Sequence, residues 1–520
     1  MTRHSHNIPK RRTLATFGQG QRRETLFWAI SSGVAVFLAM LMLSLFGAIS
    51  YVIIVPALIG LTFAKPQFAL IVIFCAIYFQ SIMISFLMQL GSDEGAIQAS
   101  QAFSFIALTI MALCALAVLV TRKKNKIPVL GRRSNLILPS FLCLGVVALY
   151  AALGLTSASV ASVASYVRLY CLLPFGIFIA LAFARRFNTA FLCDVCIYFT
   201  LVALALGALE IAFPREFYTY SNMVPYVVTK YSDDVQLRDV DDLMRIATRS
   251  FLNLSSQFAL DLKFVRPYGP TIHSITFAYV VTFGAAIAIV RRQWLALALC
   301  FPMLIFIGSK GVLVLVLCLL MIDFVSRGVS RRMVPWVFAI LMIAYVVITL
   351  AYGAATADYH YLGLRGGIVG FFERPWGHGV GVGGNLSDLG RSDARDFQEF
   401  ARSGASDFAL ESGFAVALYQ MGVLGLIFFF LWYRVGRMLL QRSHDRSLNL
   451  ADRRTCLIVG HGLLILIVTS IFQEETLSPA SLGMWSILAV SILITTRQET
   501  SIASAGRIDA EPVPASLSKR

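Results

Sequence analysis

The sequence predicts an all-α polytopic membrane protein, and three observations carry that prediction. Composition is the first: of 520 residues, 58% are hydrophobic and only 14% charged, with a mean hydropathy of +0.75. Soluble domains run about 25% charged and 45–50% apolar. This excludes a soluble globular enzyme and, for the same reason, a disordered chain. The second observation is a series of apolar runs of membrane-crossing length. The third is that Lys and Arg gather on alternate connections between those runs.

A crossing helix needs about 20 mostly apolar residues, because the hydrocarbon core is about 30 Å thick and each residue rises about 1.5 Å. The run from Leu26 to Ala64 is uncharged. It is too long for one helix, so it divides near Gly47-Ala48-Ile49-Ser50. Further runs cover roughly 67–89, 102–121, 136–154, 163–183, 189–212 and 273–290. The last six cover roughly 294–308, 311–326, 334–353, 412–432, 456–472 and 479–496. About fourteen spans result, in one membrane domain over residues 26–496. Residues 1–25 form a basic amino-terminal segment, and 497–520 a disordered tail. The first apolar run continues into a second span, so it reads as a retained anchor and not as a cleaved signal.

The net charge of +16 would point a soluble chain toward nucleic acid. In a membrane chain its location matters more. With Arg11, Arg12, Arg22 and Arg23 placed in the cytoplasm, the inner connections receive Arg122-Lys123-Lys124, Arg132-Arg133 and Arg185-Arg186. They also receive Arg291-Arg292, Arg331-Arg332, Arg434, Arg437 and Arg453-Arg454. About 30 of the 44 basic residues and about 8 acids then lie inside, a net of about +22, against about −6 outside. Both termini are therefore expected in the cytoplasm. No nucleic-acid partner is expected.

The nine cysteines all fall in predicted spans, so no disulfide framework is expected. Cys193-x-x-Cys196 has metal or redox spacing but no partner ligands, and reads as small packing residues. His273, His360 and His378 are not spaced as ligands, so no metal and no cofactor is expected.

Two loops are long, 213–272 and 354–411, and this orientation places both outside, on the face that the resemblance below makes periplasmic, in a bacterial inner membrane. Loops of such length are usually functional or disordered. The first holds five Asp between 233 and 242, then an apolar-periodic stretch, Leu243 to Leu260, so a short helix is expected in it. Its tyrosines, Tyr218, Tyr220 and Tyr226, suggest a wall against sugar rings or an interfacial belt. Cations are disfavoured outside, yet Arg238, Arg245, Arg249, Lys263 and Arg266 sit in this loop. Arg365, Arg374, Arg391, Arg395 and Arg402 sit in the second. Guanidinium forks suit phosphate oxygens, although neighbouring acids would pair with them equally well. Arg168 follows about 32 uncharged residues, inside a span. There an Arg costs about 2.5–3.5 kcal/mol unless it faces a cavity or partner or snorkels outward. Lys310, between two spans, is expected at the same face. The glycines of Gly377-His378-Gly379-Val380-Gly381-Val382-Gly383-Gly384 suit a nest of N–H groups for an anion or a plain flexible turn.

Four stretches together resemble the O-antigen polymerase/ligase superfamily of bacterial polysaccharide assembly (Wzy- and WaaL-like). They are Arg266-Pro267-Tyr268-Gly269-Pro270-Thr271-Ile272-His273, Gly308-Ser309-Lys310-Gly311, the segment from Arg365 through Arg374-Pro375-Trp376-Gly377-His378-Gly379-Val380-Gly381, and Glu411-Ser412-Gly413-Phe414 to Leu426. The resemblance implies a GT-C-like glycosyltransferase that joins polyprenyl-pyrophosphate-linked oligosaccharide repeats at the periplasmic face, with neither nucleotide sugar nor metal. The product would be O-antigen, capsule or another exopolysaccharide. By residue match, Arg266, Lys310 and Arg365 would stabilise the leaving pyrophosphate, with Gly379 and Gly381 beside it. Arg168 is added on its intramembrane position alone. Glu411 would be the catalytic base. The ligases of this family place His-Asn where Glu411-Ser412 stands, so the polymerase type is favoured. A ligase acting on lipid A core, or a flippase for the same lipid-linked saccharide, is the alternative. A flippase and a chain-length regulator are the expected protein partners.

Overall fold

The computed structural model describes residues 19–91, 93–122, 130–230, 237–250, 263–328, 332–388 and 409–508. Of the described residues, 85% are helical and almost none form strand. Seven long helices open the chain: α1 (Gln19–Phe46), α2 (Tyr51–Ala64), α3 (Pro66–Leu87), α4 (Glu94–Arg122), α5 (Leu130–Gly154), α6 (Val160–Phe183) and α7 (Thr189–Ala212). Three short ones, α8 (Pro214–Tyr220), α9 (Met223–Lys230) and α10 (Val240–Ala247), lead to a two-stranded ribbon, β1 (Thr248–Ser250) with β2 (Lys263–Val265). Then follow α11 (Ser274–Arg291), α12 (Trp294–Ile307), α13 (Lys310–Gly328), α14 (Val334–Thr356) and α15 (Tyr359–Glu373). The chain closes with α16 (Gly413–Met421), α17 (Leu426–Ser443), α18 (Leu450–Thr469) and α19 (Met484–Ile508). Among the described residues, eleven helical segments are long and apolar enough to cross a membrane. This is the make-up of a multi-pass membrane protein.

Helix starts follow local chemistry. Asn188 Oδ1 accepts from Phe191 N–H at α7, Asp239 Oδ1 from Asp242 N–H at α10, and Ser412 Oγ from Ala415 N–H at α16. Each satisfies an amide that the first turn leaves without a partner. Pro66 opens α3, where a missing N–H costs nothing. The opening apolar run reverses at Gly47–Ser50, where Gly47 takes φ +58° and Ser50 Oγ donates to Met42 O (2.7 Å). Residues near both ends of that run then meet, with the Trp28 and Phe68 rings 4.8 Å apart.

Connections sort to two ends. At one, Arg186 donates to Phe63 O, Arg454 to Ile289 O (2.7 Å) and to Asp323 (2.5 Å), and Arg291 pairs with buried Asp194 (2.8 Å). We call this the basic end. At the loop end, Ser85 Oγ donates to Ser221 O (2.5 Å), and Val380 N–H to Tyr150 O (2.8 Å). Between the ends, α3, α6 and α11 are largely buried, whereas α14 exposes Trp336, Ile340, Ile343 and Val347. Inside a bilayer, helices associate through close packing more than through the hydrophobic effect. Small residues accordingly stand at the contacts. A Cβ on Gly284 would lie 2.2 Å from Thr200 Oγ1, and one on Gly462 2.2 Å from the Trp485 ring.

Two expectations are refined and two corrected. Residues 251–260 of the stretch from Leu243 lie outside the described residues, and the short helix expected in this loop runs from Val240 to Ala247. It is capped by Asp239, and the chain then turns extended at β-branched Thr248 to pair with Val265. The second long loop contains α15, a helix not anticipated from the sequence. The tail expected to begin at Arg497 is still helical as far as Ile508. Tyr218 and Tyr226 form no outer wall: both rings are buried in the protein, and Tyr218 Oη donates to Glu210 (2.9 Å). Only Tyr220 of the three is exposed.

Candidate functional site

The turn that follows Arg266 is held by a buried acid from a distant helix. Glu210, near the end of α7, accepts from Tyr268 N–H (2.8 Å) and Gly269 N–H (2.7 Å), and from the Tyr218 hydroxyl. Its carboxylate therefore clamps the turn after Arg266. Gly269 is required there: its φ is +59°, and a Cβ would sit 2.5 Å from the Phe277 ring. Behind the turn, His273 Nδ1 accepts from Thr276 N–H (3.2 Å) and caps α11. Arg266 N–H donates to Ala247 O (2.9 Å), and its Nε donates to Ile307 O (2.6 Å) at the end of α12. The arginine thus stitches the ribbon to the α12–α13 turn. Gly308 makes that turn with φ +67°, and Lys310 begins α13.

These two cations line one cavity of about 270 Å³ at the loop end. Lys310 Nζ lies 4.6 Å from the centre of the Tyr352 ring, a cation–π contact that holds the ammonium without neutralising it. Tyr345 and Tyr352 of α14 form one wall, and Gln473 and His360 another. His360 Nδ1 lies 3.7 Å from Glu411 Oε2. Glu411 is in the left-handed region at φ +56°, which is uncommon for a residue with a side chain. Its N–H donates to Asn385 Oδ1 (3.3 Å). Of the residues selected from sequence, Arg266, Lys310 and Glu411 are thus brought together.

Two more carboxylates join them, and sequence reasoning missed both. Glu474 Oε1 accepts from the Tyr166 hydroxyl (2.6 Å), and Oε2 from Asn385 N–H (3.0 Å). Neighbouring Glu475 has Oε2 buried without a hydrogen-bond partner. Burial pushes the Glu474 carboxyl up to about 7 despite those two donors. The Glu475 carboxyl is also raised, first by burial and then by Glu411 and Glu474, with Arg266 opposing. Burial in turn lowers the Arg266 guanidinium, which stays cationic because it starts so high. The signal was present in the chain: Gln473-Glu474-Glu475 interrupts two apolar runs with three polar residues and hardly any loop.

The remaining candidates lie elsewhere. Arg365 is exposed on α15, whose Gly363 and Gly367 face α16. Arg168 is half-buried, with Nε enclosed and unpartnered. It stands two residues, about 200°, around α6 from Tyr166, which faces Glu474, and it does not line the cavity. The glycine segment approaches protein, not open space. A Cβ on Gly379 would lie 2.6 Å from Gly154 Cα, and one on Gly381 2.8 Å from Val163 N. His378 and Gly379 N–H groups donate to Tyr419 O and Gln420 O (both 2.9 Å). Arg245 pairs with Asp242 (2.8 Å), and Arg215 with Asp241. Arg391, Arg395 and Arg402 lie outside the described residues. Among the described residues no group of His, Cys, Asp or Glu is arranged to hold a metal, and all nine cysteines are free and buried.

Neither protein-family models nor curated proteins give a match to this chain.

Proposed function

We propose that the protein is a membrane glycosyltransferase that polymerises lipid-pyrophosphate-linked oligosaccharide repeats. The observation that carries this reading is one cavity lined by Arg266, Lys310 and His360, with Glu411 3.7 Å behind that histidine. Two cations answer a pyrophosphate, and a carboxylate or imidazole answers a sugar hydroxyl. We further propose fourteen crossings, with α16 and α17 together making one. Both termini would then be cytoplasmic, and the cavity would face the periplasm.

In this mechanism the bond between the anomeric carbon and the pyrophosphate oxygen breaks as the acceptor hydroxyl oxygen bonds to that carbon. Charge grows on the departing pyrophosphate, and Arg266 and Lys310 bind it more strongly as it develops. Their partial burial strengthens that effect, since a water-poor site screens charge less. Glu411 takes the hydroxyl proton, and His360 at 3.7 Å orients or shares it. The lipid pyrophosphate leaves as an anion. Glu475, with one oxygen unpartnered and its carboxyl raised by burial, favours the protonated form and so opposes the leaving group less.

Acceptor choice tests the reading. Purified protein is given a lipid-linked repeat with and without lipid A core. Longer lipid-linked chains without the core are the expected result. Product formed only with the core would replace polymerase by ligase. Passage of the repeat across liposomes with no new glycosidic bond would replace it by a transporter.

A further inference from the structure

A second cavity, also of about 270 Å³, opens at the basic end, between the start of α1, the α2–α3 junction and the start of α7. This size is just below the range of about 300–1,000 Å³ typical of drug-sized ligands, the scale of a headgroup and not of a whole lipid. Lys65 and Arg186 line it, with Gln67 and the aromatic rings of Trp28, Phe68 and Phe191. Arg186 Nη1 donates to Phe63 O (3.2 Å), which fixes the guanidinium at the cavity. Lys65 is exposed and makes no ion pair among the described residues. The single acid in the lining is Glu24. Around this polar floor, Leu26, Phe27, Ile30 and Phe63 are exposed, as suits side chains that meet hydrocarbon.

We propose that this cavity binds the phosphate headgroup of an anionic bilayer phospholipid. Two cations at a mouth rimmed by apolar side chains match an amphiphile: phosphate oxygens on Lys65 and Arg186, chains along α1 and α2. A Trp at this level suits the membrane–water interface, and basic pockets between helices recognise such headgroups. The polymerase cavity is at the other end of the bundle, so this site stands independently of the proposed reaction.

The test is native mass spectrometry of the full-length protein in neutral detergent with phosphatidylglycerol, phosphatidylcholine or inorganic phosphate. The protein is expected to retain one phosphatidylglycerol under activation that strips phosphatidylcholine. Lys65→Gln should weaken retention about fivefold, from about 1 kcal/mol per basic residue near the surface, and Glu24→Gln should strengthen it. Both positions are exposed, so the melting temperature should not change. Arg186→Gln should weaken retention too, but it also loses the bond to Phe63. Equal retention of both lipids, or unaltered binding by Lys65→Gln, would overturn the proposal. So would displacement of the lipid by millimolar inorganic phosphate, which would make the ligand a soluble anion.

Discussion

Glu474 has both carboxylate oxygens in hydrogen bonds while Glu475 leaves one bare, and the difference separates their tasks. Glu474 ties α6 to the segment after the glycines, because Tyr166 also accepts from Leu386 N–H (3.1 Å). With its carboxyl raised from 4.5 to about 7, the folded protein binds a proton that the unfolded chain releases. Its contribution to stability is therefore present below pH 4.5 and is lost as pH rises through 7. The size is about 3 kcal/mol, at 1.36 kcal/mol per unit. Thermal melts in detergent between pH 5 and 8 should show a falling midpoint, and Glu474→Gln should flatten it; an unchanged slope would remove Glu474 from this role. Arg266 is bound through Nε to Ile307 O, which a lysine lacks. Chain growth should drop about 10²–10³-fold in Arg266→Ala, the loss typical of one transition-state donor, and should not be rescued by Arg266→Lys. Lys310→Arg, which keeps a cation able to stack on Tyr352, should retain much of the activity that Lys310→Ala loses.

At the scale of elements, close approaches decide where the site can form. On α15, a Cβ at Gly363 would meet Leu410 O at 2.1 Å, and one at Gly367 would meet Ala415 Cβ at 2.7 Å. This face presses α15 on α16 and so brings His360 to Glu411. The glycine segment does the same between α5 and α6, with Gly379 at φ +107° against Gly154. Gly379→Ala and Gly381→Ala should therefore lower the melting temperature together with activity, by about 1–3 kcal/mol from overpacking. A ligand-binding role alone would cost activity and leave the melt intact. The sequence made the long helices legible, because an apolar run of about 20 residues has few other solutions. It also made Arg266, Lys310 and Glu411 legible, as charged residues beside such runs. It hid α15, which is short and glycine-rich, and it hid Glu210, counted as part of an apolar span until Tyr268 and Gly269 arrive from a distant segment to bond it. Arg365, matched like Arg266, and Arg168, chosen on its intramembrane position, do not line the cavity.

For the whole molecule, the sorting of connections into a basic end and a loop end is the structural counterpart of the charge alternation. Arg186, Arg291, Arg442 and Arg454 meet partners at the first, and the Arg266–Lys310 cavity lies at the second. Reporter fusions at positions 240 and 385 should read outside and one at 445 inside; an inside reading at 385 would invert the proposed orientation. The most direct measurement of the central claim is the length of lipid-linked glycan made by the purified full-length protein. It is supplied with lipid-pyrophosphate-linked repeat alone, without nucleotide sugar and with a metal chelator present. Chains of several repeats from the wild type, and single repeats from Arg266→Ala and from Lys310→Ala, the latter at unchanged melting temperature, are the predicted result. Undiminished chain growth in both variants would contradict the account.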